Sequence, residues 1–298
     1  VRIVSGNAHR ALAQSLAQEL GLPLAVTEIG SFADGEARVH IDEDVRDAAV
    51  FIVQPTCPPV NDHLMILALL ADAARAAGAA RVTAVTPYFG YARQDQRSRE
   101  GDARSAQVAG RLLGAMGIDH LVTLDLHSPA LESALPMPVT MLQADEVFLP
   151  QIMSWGSKNW AVVSPDAGGL KRAQRYALAL AAPLAVIAKS RPRPDETVQL
   201  QVLGDVRDRH CLVVDDMAST GRTLAGAAEA LRRLGAGEVS AVFTHAVMAP
   251  GATERIVAAG FSRLVTSDSI PLTPGGPLEV VPIAAHLART VRRLSRDA

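Results

Sequence analysis

Apolar residues in this chain come in short runs separated by stretches of helical period. Residues 1–4, 50–53, 82–85 and 121–124 are β-branched, apolar runs of strand length, as are 160–163, 184–188, 212–214 and 239–243. Between them the spacing predicts a helix over 7–20, with Leu12, Leu16 and Leu20 on one face and Gly21 at its end. Further helices are predicted over 62–77, 169–180 and 223–234. One over 105–116 gathers Val108, Ala109, Leu112, Leu113 and Met116 before Gly117. Polar loops fall at 91–104 and 192–196. Strands that are apolar almost throughout are buried on both faces, so the pattern predicts an α/β fold of mostly parallel sheets flanked by helices.

The pattern also repeats. Residues around Gly78 read strand, loop, helix, Gly, strand ("ARAAGAARVTAVT"), and those around Gly235 read the same way ("LRRLGAGEVSAVFT"). Gly78 and Gly235 lie at the same offset as Val82 and Val239. Two similar domains, 1–142 and 143–298, follow from this; the alternative is convergence on a common helix–glycine–strand pattern. The last predicted helix, 283–294, can pack on either domain.

At 298 residues, 49% hydrophobic and 20% charged, the chain has ample material for two cores. A net charge of −2 gives no overall basic surplus for a nucleic-acid backbone. The longest apolar stretches, 64–71 and 177–188, fall short of a membrane span, and the opening Val1-Arg2-Ile3-Val4 reads as a strand rather than a signal peptide. Cys57 and Cys211, in opposite halves, argue against a disulfide framework and for a reducing cytoplasm. Only three lysines, Lys158, Lys171 and Lys189, stand among 29 basic residues. A lysine that persists under such a bias marks a position to watch.

The most specific segment runs Leu212-Val213-Val214-Asp215-Asp216-Met217-Ala218-Ser219-Thr220-Gly221-Arg222-Thr223. An apolar strand leads through two carboxylates and a small hydroxyl and glycine turn into an amphipathic helix. A turn at the carboxyl end of a parallel strand aims backbone N–H groups outward, and the helix adds the positive end of its dipole. Ser219, Thr220 and Thr223 add hydroxyl donors, which makes an anion cradle suited to a phosphate monoester. Asp215 and Asp216 repel phosphate and suit sugar hydroxyls or a bridging cation. The plainer reading, a helix cap with two solvated aspartates, fits a lone Asp-Asp better than it fits the whole segment. The spacing is not that of a P-loop.

Several other segments carry chemistry. Pro87-Tyr88-Phe89-Gly90-Tyr91-Ala92-Arg93-Gln94-Asp95 joins aromatics to an arginine and a glutamine, suited to adenine and a triphosphate. Asp125-Leu126-His127 sets a carboxylate and an imidazole on one face after a strand. Ser164-Pro165-Asp166-Ala167-Gly168-Gly169-Leu170-Lys171-Arg172 is a second strand-to-helix glycine turn, and Lys189-Ser190-Arg191-Pro192-Arg193-Pro194 is a cationic, proline-stiffened loop. With Phe32-Ala33-Asp34-Gly35-Glu36 and Pro59-Val60-Asn61-Asp62, these segments resemble the ribose-phosphate pyrophosphokinase (PRPP synthase) family over nearly the whole chain. The phosphate loop alone also resembles type I phosphoribosyltransferases.

The resemblance implies two type I phosphoribosyltransferase-like domains and transfer of the pyrophosphoryl group of MgATP to the C1 hydroxyl of ribose 5-phosphate, giving PRPP and AMP. It implies Mg²⁺ held by His127 and Asp166, with Asp125 beside them. Phe32, Asp34, Gly35 and Glu36 from a neighbouring subunit would hold ATP together with Arg93 and Gln94, so a homo-oligomer with its active site at a subunit interface is implied. Lys189 and Arg191 would clamp the transferring group. Arg191, Asp215, Asp216 and the run Ser219, Thr220, Gly221, Arg222 and Thr223 would bind ribose 5-phosphate.

Taken singly, Phe32 reads equally as core, Asp34-Gly35 as an ordinary hairpin turn and His127 as a strand-end polar residue. Ser219 stands where many members have aspartate, a Ser-Thr-Gly version that resembles the archaeal type, and Arg222 stands where glycine is usual. Arginine is strained at that position if it needs a positive φ. Two other readings are a regulatory PRPP- or nucleotide-binding paralogue with weak activity and a phosphoribosyltransferase.

Overall fold

A computed structural model of the chain describes residues 1–156, 159–190 and 199–296, with the side chains of 189, 190 and 199 outside the description. Two compact units emerge. The first comprises 1–143, 269–271 and the C-terminal segment from 282; the second comprises 144–268 and 272–281.

The first unit runs β1 (Arg2–Ser5), α1 (Arg10–Leu20), β2 (Thr27–Ser31), β3 (Ala37–Ile41), β4 (Ala49–Val53), α2 (Val60–Ala76), β5 (Arg81–Val85), α3 (Ser105–Ala115), β6 (His120–Leu124), α4 (Ala130–Ala134) and β7 (Val139–Leu142). Its main sheet has the order β1-β4-β5-β6-β7, every pair parallel, while β2 and β3 form a separate antiparallel hairpin. Alternation along the strands explains the layering. Val4, Val50, Ile52, Val82, Ala84 and Leu121 pack with α2 and α3 into one core. Their neighbours Ile3, Phe51, Thr83 and Val122 are equally buried but belong to the other face.

The second unit runs α5 (Asp145–Met153), β8 (Trp160–Ser164), α6 (Leu170–Ala179), β9 (Leu184–Ser190), β10 (Gln199–Leu203), β11 (His210–Ala218), α7 (Arg222–Arg233), β12 (Val239–Ala246), α8 (Ala252–Ala258), β13 (Leu264–Ser267) and β14 (Glu279–Val281). The sheet order is β10-β9-β8-β11-β12-β13-β14, antiparallel only between β9 and β10. From β8 the chain moves outward to β9 and then returns to place β11 on the other side of β8. The order of strands therefore reverses between β8 and β11. In open α/β sheets the carboxyl edge at such a reversal is where ligands bind.

The last helix, α9 (Ala284–Leu294), belongs to the first unit and packs beside α1. Its buried Leu287, Val291 and Leu294 are spaced for a single helix face. The sequence gives α9 an apolar face; which unit takes it depends on the sheet face left open.

The sequence repeat has matching local geometry. Arg75 at the end of α2 donates to the carbonyls of Gly117, Ala79 and Ala80. Arg232, the equivalent position at the end of α7, donates to the carbonyls of Ala259 and Gly260. Gly78 and Gly235 both take positive φ, at 87° and 79°. Asp47 N–H donates to Gly78 O and Asp208 N–H to Gly235 O, at 2.9 and 2.8 Å. Equivalent residues thus close equivalent helix ends.

Candidate active site

β11 is longer than the apolar run 212–214 predicts, and it carries Asp215 and Asp216 within the strand rather than after it. β12 keeps it extended, pairing Met217 with His245 and Ala218 with Ala246. On its other side β8 pairs only as far as Val213 with Val163. The two aspartates therefore sit where β11 has outrun β8, at the mouth of the crevice that the strand reversal opens.

Asp166 lies in the turn that follows β8. Its Oδ1 accepts the Gly169 N–H at 3.0 Å, which ties the glycine turn into the start of α6. One turn into that helix, Arg172 points back, with Nη1 3.7 Å from Asp216 Oδ1 and both side chains nearly buried. Burial, first, and then the charge of Asp216 raise the Asp215 carboxyl well above the ordinary aspartate range; Arg172 opposes this and Asp166 adds to it. Three carboxylates and the Arg172 guanidinium thus meet at this end of the sheet. The glycine-turn segment of the sequence ends on Arg172, but nothing in that segment points to its pairing with Asp216.

The loop that follows the aspartates is built as a donor array. Gly221, with φ 72°, is its one left-handed residue and the N-cap of α7. A β-carbon there would lie 2.7 Å from Ile256 Cγ1 and 3.1 Å from Ala252 O, so glycine is required by both conformation and space. Arg222 is the first residue of α7 and has no positive φ, so the strain anticipated for arginine at this position is absent. Among the described residues, no protein acceptor pairs with the backbone N–H groups of Ser219, Thr220, Gly221, Arg222 and Thr223. Five successive donors without a protein partner, at the start of a 12-residue helix, have the chemistry to hold an anion.

The remaining candidates are dispersed. Lys189 lies on β9, its backbone in register with Leu200, but its side chain is outside the described residues, as is all of Arg191. Because β9 is parallel to β8, its carboxyl end is on the same edge of the sheet as Asp166. Arg93 and Gln94 are exposed on the loop after β5. That loop is pinned to the start of α3, where Ser105 Oγ donates to Gln94 Oε1 and Ala106 N–H to Gln94 O. Asp125 follows β6 and is buried, at a φ of 39°, while His127 is exposed. An aspartate in the left-handed region at a strand end is a strained position of the kind functional sites hold.

Phe32, Asp34, Gly35 and Glu36 form the tip of the β2–β3 hairpin. Asp34 Oδ1 accepts the Glu36 N–H, and Gly35 turns at φ 94°. Phe32 is not core; it is 54% exposed. Among the described residues, no hydrogen bond or ion pair joins the tip to Arg93 or Gln94. Among the described residues, no three His, Cys, Asp or Glu side chains gather at metal-ligand spacing. None of the described helices is long and apolar enough to cross a membrane.

A reversal crevice with paired aspartates and a bare donor loop, in a chain of two α/β units, has the form of a site for a phosphorylated ligand. Residues 1–117 match the N-terminal domain of ribose phosphate pyrophosphokinase, and residues 145–270 match the phosphoribosyl transferase domain. The chain is 44% identical to the ribose-phosphate pyrophosphokinase of a Marinomonas species, over 99% of this chain and 96% of that one. It is 41% identical to that of Bordetella parapertussis, over 98% and 96%. The crystal structure of phosphoribosylpyrophosphate synthetase from Mycobacterium smegmatis superimposes with a TM-score of 0.94 at 33% identity, covering 100% of this chain and 99% of that one. The chain belongs to the ribose-phosphate pyrophosphokinase family and is an enzyme of that class.

Proposed function

We propose that the protein transfers the pyrophosphoryl group of MgATP to the C1 hydroxyl of ribose 5-phosphate, yielding PRPP and AMP. The observation that carries this reading is the run of five unpartnered N–H groups beside two aspartates at the strand reversal. The N–H groups of 219–223, with the hydroxyls of Ser219, Thr220 and Thr223, hold the 5-phosphate. Asp215 and Asp216 accept hydrogen bonds from ribose hydroxyls and fix the ring. The C1 hydroxyl oxygen bonds to the β-phosphorus and gives up its proton to water, the bond from that phosphorus to the α,β-bridging oxygen breaks, and AMP leaves carrying that oxygen. Transfer of this kind depends on positioning and charge neutralisation rather than on covalent catalysis. Lys189 and Arg191 supply positive charge at the transferring group, and Arg93 and Gln94 orient the nucleotide.

The donor set fits Mg²⁺. Magnesium is ordinarily held by one or two carboxylates together with substrate phosphates, and Asp166 offers such a hard oxygen donor beside the paired aspartates. Asp166, His127 and Asp125 are the proposed protein contributors. When bound, the ion offsets the charge on the nucleotide's phosphates. The exposed hairpin tip supports a homo-oligomer in which Phe32, Asp34 and Glu36 of one copy complete the nucleotide site of another. The test is to incubate the purified protein with MgATP and ribose 5-phosphate while following AMP and PRPP. AMP that forms only when the sugar phosphate is present, in step with PRPP, supports the reading. AMP formed without it, or no PRPP, overturns it.

A further inference from the structure

The peptide group is planar and trans, so the direction of each carbonyl fixes the direction of the N–H that follows it. A loop that aims five N–H groups at a ligand must turn its carbonyls the other way, and buried carbonyls need donors. Those donors are present. Ala218 O accepts the Met248 N–H at 3.0 Å, Ser219 O accepts the Ala249 N–H at 2.9 Å, and Gly221 O accepts the Ala225 N–H at 3.0 Å within α7. Thr220 O accepts Nη1 of Arg255, from α8. Three of the four anchors therefore come from one segment, 248–255. Met248 reaches its position at a φ of 48°, a conformation its side chain disfavours.

Arg255 is the one side chain among these anchors, and it holds the peptide that matters most. The Thr220 carbonyl shares its plane with the Gly221 N–H. Gly221 is the left-handed residue, where a peptide is most readily flipped between two orientations. The main-chain donors of Met248 and Ala249 hold the two peptides before it, and α7 holds the peptide after it.

We propose that Arg255 is a positioning residue for the phosphate loop: by gripping Thr220 O it fixes the Gly221 N–H toward the 5-phosphate of the sugar. The inference rests on the reading of 219–223 as the sugar-phosphate cradle. It predicts an effect confined to that substrate. Replacing Arg255 with Met removes the donor and keeps much of the apolar stem. A charge-assisted hydrogen bond of this kind corresponds to about a tenfold effect. Arg255→Met should therefore raise KM for ribose 5-phosphate by about tenfold, with KM for ATP unchanged and kcat within about threefold. Arg255→Lys, which keeps a cationic donor on a shorter stem, should recover most of the loss.

The second readout is calorimetric binding of ribose 5-phosphate to the full chain without nucleotide, which should weaken by the same factor. If Arg255→Met does not fold, Arg255→Gln serves in the same measurements. Equal rises in both KM values, or an unchanged KM for the sugar phosphate, overturn the proposal. So does a lysine variant as weak as the methionine one. The underlying reading fails separately and visibly, if the unmodified protein itself does not bind ribose 5-phosphate.

Discussion

Asp215 sits among Asp216, Asp166 and Arg172, and its carboxyl is raised first by burial and then by its neighbour's charge. A carboxyl whose pKa is higher in the folded than in the unfolded chain costs stability once ionised. The cost is complete above the folded pKa and absent below the unfolded one. Asp215→Asn should therefore be more thermally stable than the native protein at pH 8 in chelator, and should lose its ribose 5-phosphate turnover. The gap in unfolding temperature should narrow as the pH falls through the raised pKa; a gap that widens contradicts the assignment. Lys189 belongs to the same scale. Lys189→Ala should abolish turnover while leaving the circular dichroism spectrum and the binding of ribose 5-phosphate intact, and a near-native rate would remove Lys189 from the chemistry.

At the scale of elements, residues 212–223 were legible because everything they need is contiguous: strand, turn and helix follow one another, and the donors point outward by geometry alone. The pairings of Arg172 with Asp216 and of Arg255 with Thr220 were not, because each is reached only after the chain has folded back across the sheet. The length of β11 was missed for a related reason. Carboxylates read as the end of a strand, but β12 supplies the ladder that keeps this one extended. The β2–β3 hairpin escaped the hydrophobic pattern because only alternate residues pack inward: Ile29, Ala37 and Val39 are partly buried and Ile41 fully buried, while the tip stays in water. That exposure yields a prediction. Phe32→Ala should leave the unfolding temperature within about a degree, since little packing is lost. KM for ATP should rise if the tip serves a neighbouring copy's nucleotide site, and an unchanged KM for ATP removes it from that role.

At the scale of the whole molecule, the α/β class was legible from nearly continuous apolar strands, and the repeat from its glycines. The home of the last helix was not. A pattern of Leu287, Val291 and Leu294 says that a face must be covered, not which one. In the structure α9 lies with α1, so the first unit is assembled from both ends of the sequence. A chain ending at 281 should keep the second unit's core and lose that of the first. Hydrogen exchange should then show protection in β8, β11 and β12 and little in β1 and β4, and equal protection in both sets would contradict the packing described.

The same arrangement bears on how the protein is made. During synthesis β1, β4 and β5 emerge before β8, with α1 packed on β1 and β4, yet α1 lacks its neighbour α9 until 284–294 have left the ribosome. The continuous stretch 144–268 can mature before it. Between the emergence of α1 and that of α9 the nascent chain carries a helix face whose partner has not yet been made, and that interval is when a chaperone would have most to hold.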